Sequence, residues 1–143
     1  MKPSLDLSTA AATLNAAATI VVSPKEPGYD LCTQLTIIAE LQGITGGTLD
    51  VVIQDSADGV KWFDYVHFAQ LAAAAAVVVY SYDPTLNDTI SVIGKATDPA
   101  TPVPVLAAGS ARGGHPLQFL RAVYIAGAGA SAGVAQTLTV FAR

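Results

Sequence analysis

The residue types that most often perform catalysis or bind metal ions are few in this sequence and widely separated. There are two histidines, His67 and His115, and one cysteine, Cys32. A zinc or iron site needs several histidine, cysteine or carboxylate ligands at suitable spacing, and the sequence shows no such cluster. Ser110, His115 and an aspartate permit a hydrolytic triad on paper, but a triad is defined by three-dimensional geometry, so these residue types alone do not indicate one. We therefore predict that the protein is not an enzyme and has no catalytic, metal-binding or cofactor-binding residues.

Residues 55–59 place two carboxylates and a glycine close together, as a calcium-binding loop does. An EF-hand loop supplies oxygen ligands at alternate positions and ends in a bidentate glutamate. Here Ala57 occupies one of those positions and no glutamate follows. Asp58-Gly59 is instead typical of a β-hairpin, because glycine readily adopts the positive φ that such turns require. We favour the hairpin turn, with an adventitious cation site as the alternative.

Trp62 follows this turn and has two possible roles. With Phe63 and Tyr65 it could form an exposed platform for a sugar or a protein partner. Alternatively it is a large core residue, because strict alternation places it on one face of a strand with Val66 and Phe68. We favour the core position.

The sequence was searched for features that indicate a cellular location: disulfide-forming cysteines, membrane-spanning segments and a secretory signal. Because Cys32 is the only cysteine, no disulfide can form within the chain, which favours assembly in a reducing cytosol. We expect Cys32 to be a small residue of a strand. The longest apolar run covers ten residues, 71–80, about half of what a membrane-spanning helix needs. No membrane partner is therefore expected. Asp6 and Asn15 interrupt the N-terminal region, so no secretory signal is expected either.

Alternating apolar and polar residues predict that short strands position all of these side chains. The clearest run is residues 31–41, and the Asp-Gly turn joins two further strands into a hairpin. A second hairpin is predicted at the C-terminus, across the glycine- and alanine-rich residues 127–133. Evenly spaced strands with turn signals between them indicate an all-β fold, an antiparallel β-sandwich resembling a jelly roll. The predicted strands are residues 19–22, 31–41, 49–54, 61–68, 76–82, 89–93, 119–126 and 134–141.

The chain is predicted to form one domain with two irregular segments. Residues 1–12 show no period and are expected to be an extended N-terminal arm that reaches a neighbour; a helix over residues 8–18 is the alternative. Residues 13–143 form the single β-sandwich domain. Within it, residues 23–28 are a turn with two prolines, and residues 94–114 are a long loop, a feature that is usually functional or mobile in a compact domain.

Charge is scarce along the whole chain. Charged residues are 13% of the sequence, whereas the surface of a soluble monomer typically has about 25–35%. Seven basic residues against eleven acidic ones exclude a protein that binds nucleic acid by neutralising phosphates. We expect part of the surface to be covered by a partner or by copies of the same chain. The alternative is a monomer whose surface consists of Ala, Thr, Ser and Gln.

Two segments resemble a known protein family. In residues 49–65 a strand ends in Gln-x-Ser-x-Asp-Gly, turns, and returns with Trp-x-Asp. The strand Leu120-Arg-Ala-Val-Tyr, its Gly/Ala turn and the final Thr/Val strand are similar to the closing hairpin of the same proteins. These are small structural proteins of tailed bacteriophages, and in size and character the chain most resembles the capsid decoration, or cement, proteins.

The resemblance implies a β-sandwich that binds the outside of a head shell as a dimer or trimer, without catalytic residues. The expected partners are the major capsid protein of a phage head and further copies of this chain, and the expected location is the capsid surface of a virion assembled in the bacterial cytoplasm. The net charge of −4 favours the outer side, since packaged DNA would repel it. A carbohydrate- or receptor-binding sandwich of a tail or cell surface is the alternative, and a filament subunit is a third.

Overall fold

A computed structural model of the chain describes residues 2–6, 20–22, 26–27, 32–41, 46–72, 76–82, 96–97, 104–112, 114–127 and 136–142. Every regular element in these residues is a β-strand, as the sequence predicts, and no helix among them is long and apolar enough to cross a membrane. The strands are β1 (Lys2–Asp6), β2 (Ile20–Val22), β3 (Glu26–Pro27), β4 (Leu35–Leu41), β5 (Leu49–Ser56), β6 (Trp62–His67), β7 (Ala76–Tyr82), β8 (Ala96–Thr97), β9 (Ser110–Ala111), β10 (Phe119–Ala126) and β11 (Thr137–Ala142).

The strands form two antiparallel sheets that pack against each other as a β-sandwich. The four-stranded sheet has the order β1-β11-β4-β7. The seven-stranded sheet has the order β2-β10-β5-β6-β8, with β3 also paired to β10 and β9 to β6. The predicted fold class, an antiparallel β-sandwich, is therefore confirmed.

The core lies between the sheets and follows the alternation in the sequence. In β4 the residues at every second position are fully buried, and the residues between them are half-buried or exposed. In β10 one of the two alternating sets is buried in the same core cluster. Cys32 is buried too, just before β4. The inward residues of these two strands are Leu35, Ile37, Ala39 and Leu41 of β4, and Leu120, Ala122, Tyr124 and Ala126 of β10.

The predicted C-terminal hairpin is wrong. β10 pairs with β5 on one side and with β2 and β3 on the other, so both of its edges are occupied. β11 instead crosses to the four-stranded sheet and lies between β4 and β1. Alternation in β11 correctly indicates its buried face, but a period of two does not specify which strand is the neighbour.

The N-terminal segment is extended, but part of it belongs to the sandwich. Residues 2–6, predicted as the start of a free arm, form β1 and pair with β11. Residues 7–12 and the alternative helix over 8–18 lie outside the described residues. The predicted strand at 19–22 is confirmed as β2, and part of the predicted turn at 23–28 forms β3.

The long segment 94–114 is more ordered than a simple loop where the structure describes it. It contains β8 and β9, both of which pair with β6. Near β9, the N–H groups of Gly109 and Arg112 donate to the carbonyl oxygens of His67 and Tyr65, both at 2.8 Å. These bonds hold residues 104–112 along β6. The predicted strand at residues 89–93 lies outside the described residues.

Candidate functional site: two contrasting sheet faces

The loop between β5 and β6 is a hairpin turn held by side chains. Asp58 Oδ1 accepts hydrogen bonds from the N–H groups of Val60 and Lys61, both at 2.8 Å, and from Ser56 Oγ at 3.0 Å. Ser56 Oγ in turn accepts from the N–H of Gly59 at 2.9 Å, and Gly59 has a φ of 70°. The two backbone bonds lower the pKa of Asp58, because they favour its charged form. The hairpin interpretation is therefore confirmed.

Asp55, the second carboxylate of residues 55–59, does not contribute to the hairpin turn. Asp55 is fully buried, and its Oδ2 accepts hydrogen bonds from Arg112 and from the N–H of Leu117, the latter at 3.0 Å. Among the described residues its Oδ1 has no hydrogen-bond partner. Burial raises the pKa of Asp55, and the Arg112 charge opposes that shift. Asp55 and Asp58 thus serve two separate sets of donors.

Two tyrosines join the sheets next to this ion pair. Tyr65 of β6 and Tyr80 of β7 meet edge to face, with ring centres 5.6 Å apart and an interplanar angle of 80°. The Tyr65 hydroxyl donates to the carbonyl oxygen of Gly114 at 3.1 Å, and the Arg112 guanidinium lies 5.4 Å from the Tyr65 ring centre. Burial strongly raises the pKa of Tyr65, so its phenol keeps its proton. The cluster therefore fastens the sheets together and is unsuited to act as a base.

A bulge in β6 changes which side chains share a face. Ile53 of β5 opposes Val66, but the next residue, Gln54, opposes Asp64, so Tyr65 is the extra residue. Val66 consequently faces the core, while Asp64 faces outward with Gln54, to which it is hydrogen-bonded. The strict alternation predicted for this strand is therefore wrong.

Trp62 lies beyond the bulge, on the outward side. It is buried, as predicted, but it packs against Arg121 of β10 and is not part of the cluster between the sheets. The predicted face shared with Val66 and Phe68 is wrong because of the bulge. Tyr65 is fully buried as well, so these two aromatic residues do not form the exposed platform considered from the sequence.

Buried polar residues connect the three central strands of the seven-stranded sheet on its outward side. Arg121 of β10 donates from Nε and Nη2 to Gln54 Oε1 of β5, at 2.9 and 2.7 Å. Gln54 Nε2 donates to Asp64 Oδ1 of β6 at 2.8 Å. Asp64 Oδ2 accepts from the backbone N–H groups of Val105 and Leu106. These bonds fasten residues 104–112 over this side of the sheet.

His67 forms a second attachment for the same segment. Its Nδ1 lies 2.8 Å from the Leu106 carbonyl oxygen, and its Nε2 lies 3.0 Å from Asp50 Oδ1. Ser110 is the register partner of His67 between β9 and β6. Both ring nitrogens are engaged, so His67 has none available to take a proton from Ser110. His115, the histidine of the triad considered from the sequence, is exposed.

The potential metal ligands among the described residues are not clustered. These residues contain no group of three or more His, Cys, Asp or Glu side chains placed to hold a metal ion. Sequence reasoning missed the roles of Gln54, Asp64, Arg112 and Arg121. A polar residue within a predicted strand is a weak signal that its side chain holds neighbouring segments together. Its partner cannot be identified without knowing the register between the strands.

The outward side of the four-stranded sheet has the opposite character. We call it the open face; its side chains come from β4, β7 and β11. Val79 is 65% exposed and Phe141 45% exposed, which is unusual for large apolar residues in strands. Glu40 is the one charged residue among the described side chains of this face. The open face comprises Thr36, Ile38, Glu40, Val79, Ser81, Thr137, Thr139 and Phe141.

Comparisons of the chain with protein-family models, with curated proteins and with solved structures find no match. The contrast between a covered sheet and an open sheet is therefore the basis for assigning a function.

Proposed function

We propose that this chain is a virion structural protein, a capsid decoration (cement) protein that binds the outer surface of a phage head through the open face. The observation that carries the proposal is the contrast between the two outward sides. In the seven-stranded sheet, Val52, Trp62 and Val123 are buried on that side. In the four-stranded sheet, Val79 and Phe141 are exposed on the corresponding side. A sandwich that covers one sheet and leaves the other apolar and exposed has a surface suited to a partner.

The chemistry of the open face fits a protein lattice. Threonine, isoleucine, valine and phenylalanine side chains can be buried against another protein without stranding a charge. Glu40 can stay hydrated at the rim of a contact, because it lies near the end of β4.

The buried polar groups support a structural role over a catalytic one. Asp55 binds Arg112, and Asp64 accepts a hydrogen bond from the N–H of Leu106. His67 binds Asp50. Each of these buried groups therefore holds segments of the chain together. The glycan-binding alternative needs an exposed indole, and Trp62 is 3% exposed. No observation favours that second function.

A binding assay with bare phage heads tests the proposal. Purified protein should bind heads saturably, with a fixed number of copies per head. The Phe141→Lys variant, which puts a charge into the open face, should bind at least about tenfold more weakly, equivalent to about 1.4 kcal/mol. Val60→Lys is the matched control, because Val60 is 63% exposed in the β5–β6 hairpin loop and the change in charge is identical.

Each outcome of this assay has a defined meaning. If no variant, including the wild type, binds heads, the proposed function is wrong. If Phe141→Lys binds as the wild type does, the open face is not the binding surface. Circular dichroism of both variants establishes that they remain folded.

A further inference from the structure

His67 of β6 has a hydrogen-bond acceptor at each of its two ring nitrogens. Nδ1 lies 2.8 Å from the carbonyl oxygen of Leu106, and Nε2 lies 3.0 Å from Asp50 Oδ1. A backbone carbonyl oxygen has no proton to donate, and neither has an ionised carboxylate. Each ring nitrogen must therefore carry a proton of its own if both hydrogen bonds are to form.

Only the charged, imidazolium form of the His67 ring meets this requirement. The imidazolium ring donates from both nitrogens, whereas a neutral imidazole has one N–H group and one nitrogen with a lone pair. With a neutral ring, a nitrogen lone pair must face an oxygen that also presents lone pairs, at 2.8 or 3.0 Å. His67 is buried, so water does not readily replace the missing donor. Loss of one proton therefore reduces the hydrogen bonds that His67 donates here from two to one.

The hydrogen bond that a neutral ring gives up is the one to Leu106. An ionised acceptor binds an N–H group more strongly than a neutral carbonyl does, so the remaining proton stays on Nε2, opposite Asp50. Asp50 is itself held in place, because its Oδ2 accepts from Gln70 Nε2 at 2.7 Å. The lone pair of His67 Nδ1 then faces the Leu106 carbonyl oxygen, and these two groups repel each other.

Leu106 belongs to residues 104–112, the segment that lies along β6. Two other bonds hold this segment on either side of the ring contact. The N–H of Leu106 donates to Asp64 Oδ2 at 3.0 Å, and the N–H of Gly109 donates to the His67 carbonyl oxygen at 2.8 Å. Repulsion at the Leu106 carbonyl therefore loosens the segment without detaching it.

The charged groups around β6 leave Asp50 as the ionic partner of His67. Asp50 is the charged side chain paired with the His67 ring within the part of the chain that the structure describes. On β9, the register partner of His67 is Ser110, which has no charge. The remaining charged groups on neighbouring strands and segments have partners of their own: Asp64 and Arg121 are each bonded to Gln54, and Arg112 to Asp55.

We propose that His67 is a pH-sensitive switch: the protonated ring fastens residues 104–112 to β6, and loss of the Nδ1 proton loosens the segment at Leu106. Histidine ordinarily changes its charge between about pH 5 and pH 8, so the proposal is tested across this range. The inference goes beyond the proposed function, because it concerns the isolated chain and needs no phage head.

Long-range ¹H–¹⁵N correlation spectra of the wild type report the protonation of each ring nitrogen. The chain has two histidines, so the spectra contain two sets of ring signals. Both nitrogens of His67 should be protonated at about pH 5, and Nε2 alone at about pH 8.5, on either side of the ordinary histidine pKa of about 6.5. A His67 ring with the same protonation at both pH values would overturn the proposal, and so would a neutral ring protonated on Nδ1.

Hydrogen exchange of the Leu106 and Gly109 amides measures how tightly the segment is held. After correction for the intrinsic pH dependence of exchange, the opening constant of both amides in the wild type should rise about tenfold between these two pH values, because one hydrogen bond is lost. The His115→Gln variant is the control, since His115 is exposed. It should behave as the wild type does. An opening constant that does not change with pH in the wild type would contradict the proposal.

Asp50→Asn separates the switch from a general effect of pH. The asparagine amide can donate to His67 Nε2 while its oxygen accepts from Gln70. A neutral ring protonated on Nδ1 then satisfies both of its neighbours, so the opening constants should no longer depend on pH. The same tenfold rise in Asp50→Asn as in the wild type would overturn the proposal. The spectra of the wild type keep it testable if the variant does not fold, and the absence of heads makes every outcome independent of the head-binding assay.

Discussion

The guanidinium carbon of Arg121 lies 4.2 Å from the ring centre of Trp62, and both residues are buried. The pair joins β10 to β6 across β5, with Gln54 accepting two hydrogen bonds from the same guanidinium. Burial lowers the pKa of Arg121 to about 10, while the Asp64 charge opposes that shift, so the group is charged at neutral pH. The only tryptophan of the chain is therefore buried against Arg121 on the outward side of the seven-stranded sheet.

Replacing Arg121 with leucine should destabilise the protein by about 2 kcal/mol. The substitution leaves Gln54 Oε1 without its two donors in a buried position, and an unsatisfied buried acceptor costs about 1–3 kcal/mol. Urea unfolding at neutral pH measures the change. Arg121→Lys is the control, because lysine keeps the charge but lacks the planar guanidinium. Its stability should lie between that of the wild type and that of Arg121→Leu. A loss below about 0.5 kcal/mol for leucine would show that these bonds contribute little.

Trp62 should be inaccessible to a neutral quencher such as acrylamide in the folded protein. The indole is 3% exposed and is the sole tryptophan, so its fluorescence reports one site. Quenching should rise sharply on unfolding in urea. If the folded protein is quenched as strongly as free indole, Trp62 is exposed in solution and the glycan-binding alternative regains support.

Replacing Arg112 with methionine should cost about 3–5 kcal/mol at neutral pH, because the fully buried Asp55 carboxylate loses its charge partner. The double variant Asp55→Asn/Arg112→Met should be more stable than the single variant, since no buried charge remains. Chemical unfolding of the three proteins measures the difference. Equal stability of the single and double variants would contradict a charged Asp55.

Acid should partly rescue the Arg112→Met variant. Burial raises the pKa of Asp55 above 3.8 in the folded protein, and removing Arg112 takes away an opposing effect. The folded state therefore takes up a proton more readily than the unfolded state. The stability that protonated Asp55 contributes is fully present below the pKa of Asp55 in the unfolded chain. It is lost as the pH rises through the higher pKa of Asp55 in the folded protein. The deficit of the variant relative to wild type should shrink as the pH falls toward 3.8.

Asp58 should show the opposite pH dependence. Backbone hydrogen bonds from Lys61 and Val60 lower its pKa below 3.8. The stability that ionised Asp58 contributes is present above its pKa in the unfolded chain. It is lost as the pH falls through the lower pKa that Asp58 has in the folded protein. Asp58→Ala should therefore lower the melting temperature at neutral pH and make no difference in strong acid. The same melting-temperature difference at both extremes would mean that the turn does not depend on the ionised carboxylate.

Deleting residues 1–6 should destabilise the sandwich and promote aggregation. The deletion removes β1 and exposes the edge of β11, which otherwise pairs with Lys2, Leu5 and Asp6. The sequence-based expectation of a free arm implies instead that the fold is unaffected. Thermal unfolding and sedimentation of the truncated protein distinguish the two. Unchanged melting and sedimentation would show that β1 pairing contributes nothing in solution.

Much of the local structure could be predicted from the sequence. The Asp58-Gly59 turn was predictable because its backbone geometry depends on neighbouring residues alone. The buried face of β4 was predictable because a strand repeats every two residues and its apolar residues share one face. The scarcity of charged residues predicted that part of the surface is covered by a partner, but it did not indicate which face of the protein this is.

Sequence by itself determined where the longer strands β4, β5, β6, β7, β10 and β11 lie, because alternation depends on near neighbours along the chain. It did not identify β1, β3, β8 and β9, which lie in segments predicted as arm, turn and loop. Tertiary structure decided the rest. The crossing of β11 to the other sheet, the bulge at Tyr65 and the pairing of Asp55 with Arg112 join residues far apart in sequence. Alternation assigns a residue to a face but not to a neighbour, and only the packing of two whole sheets selects the neighbour.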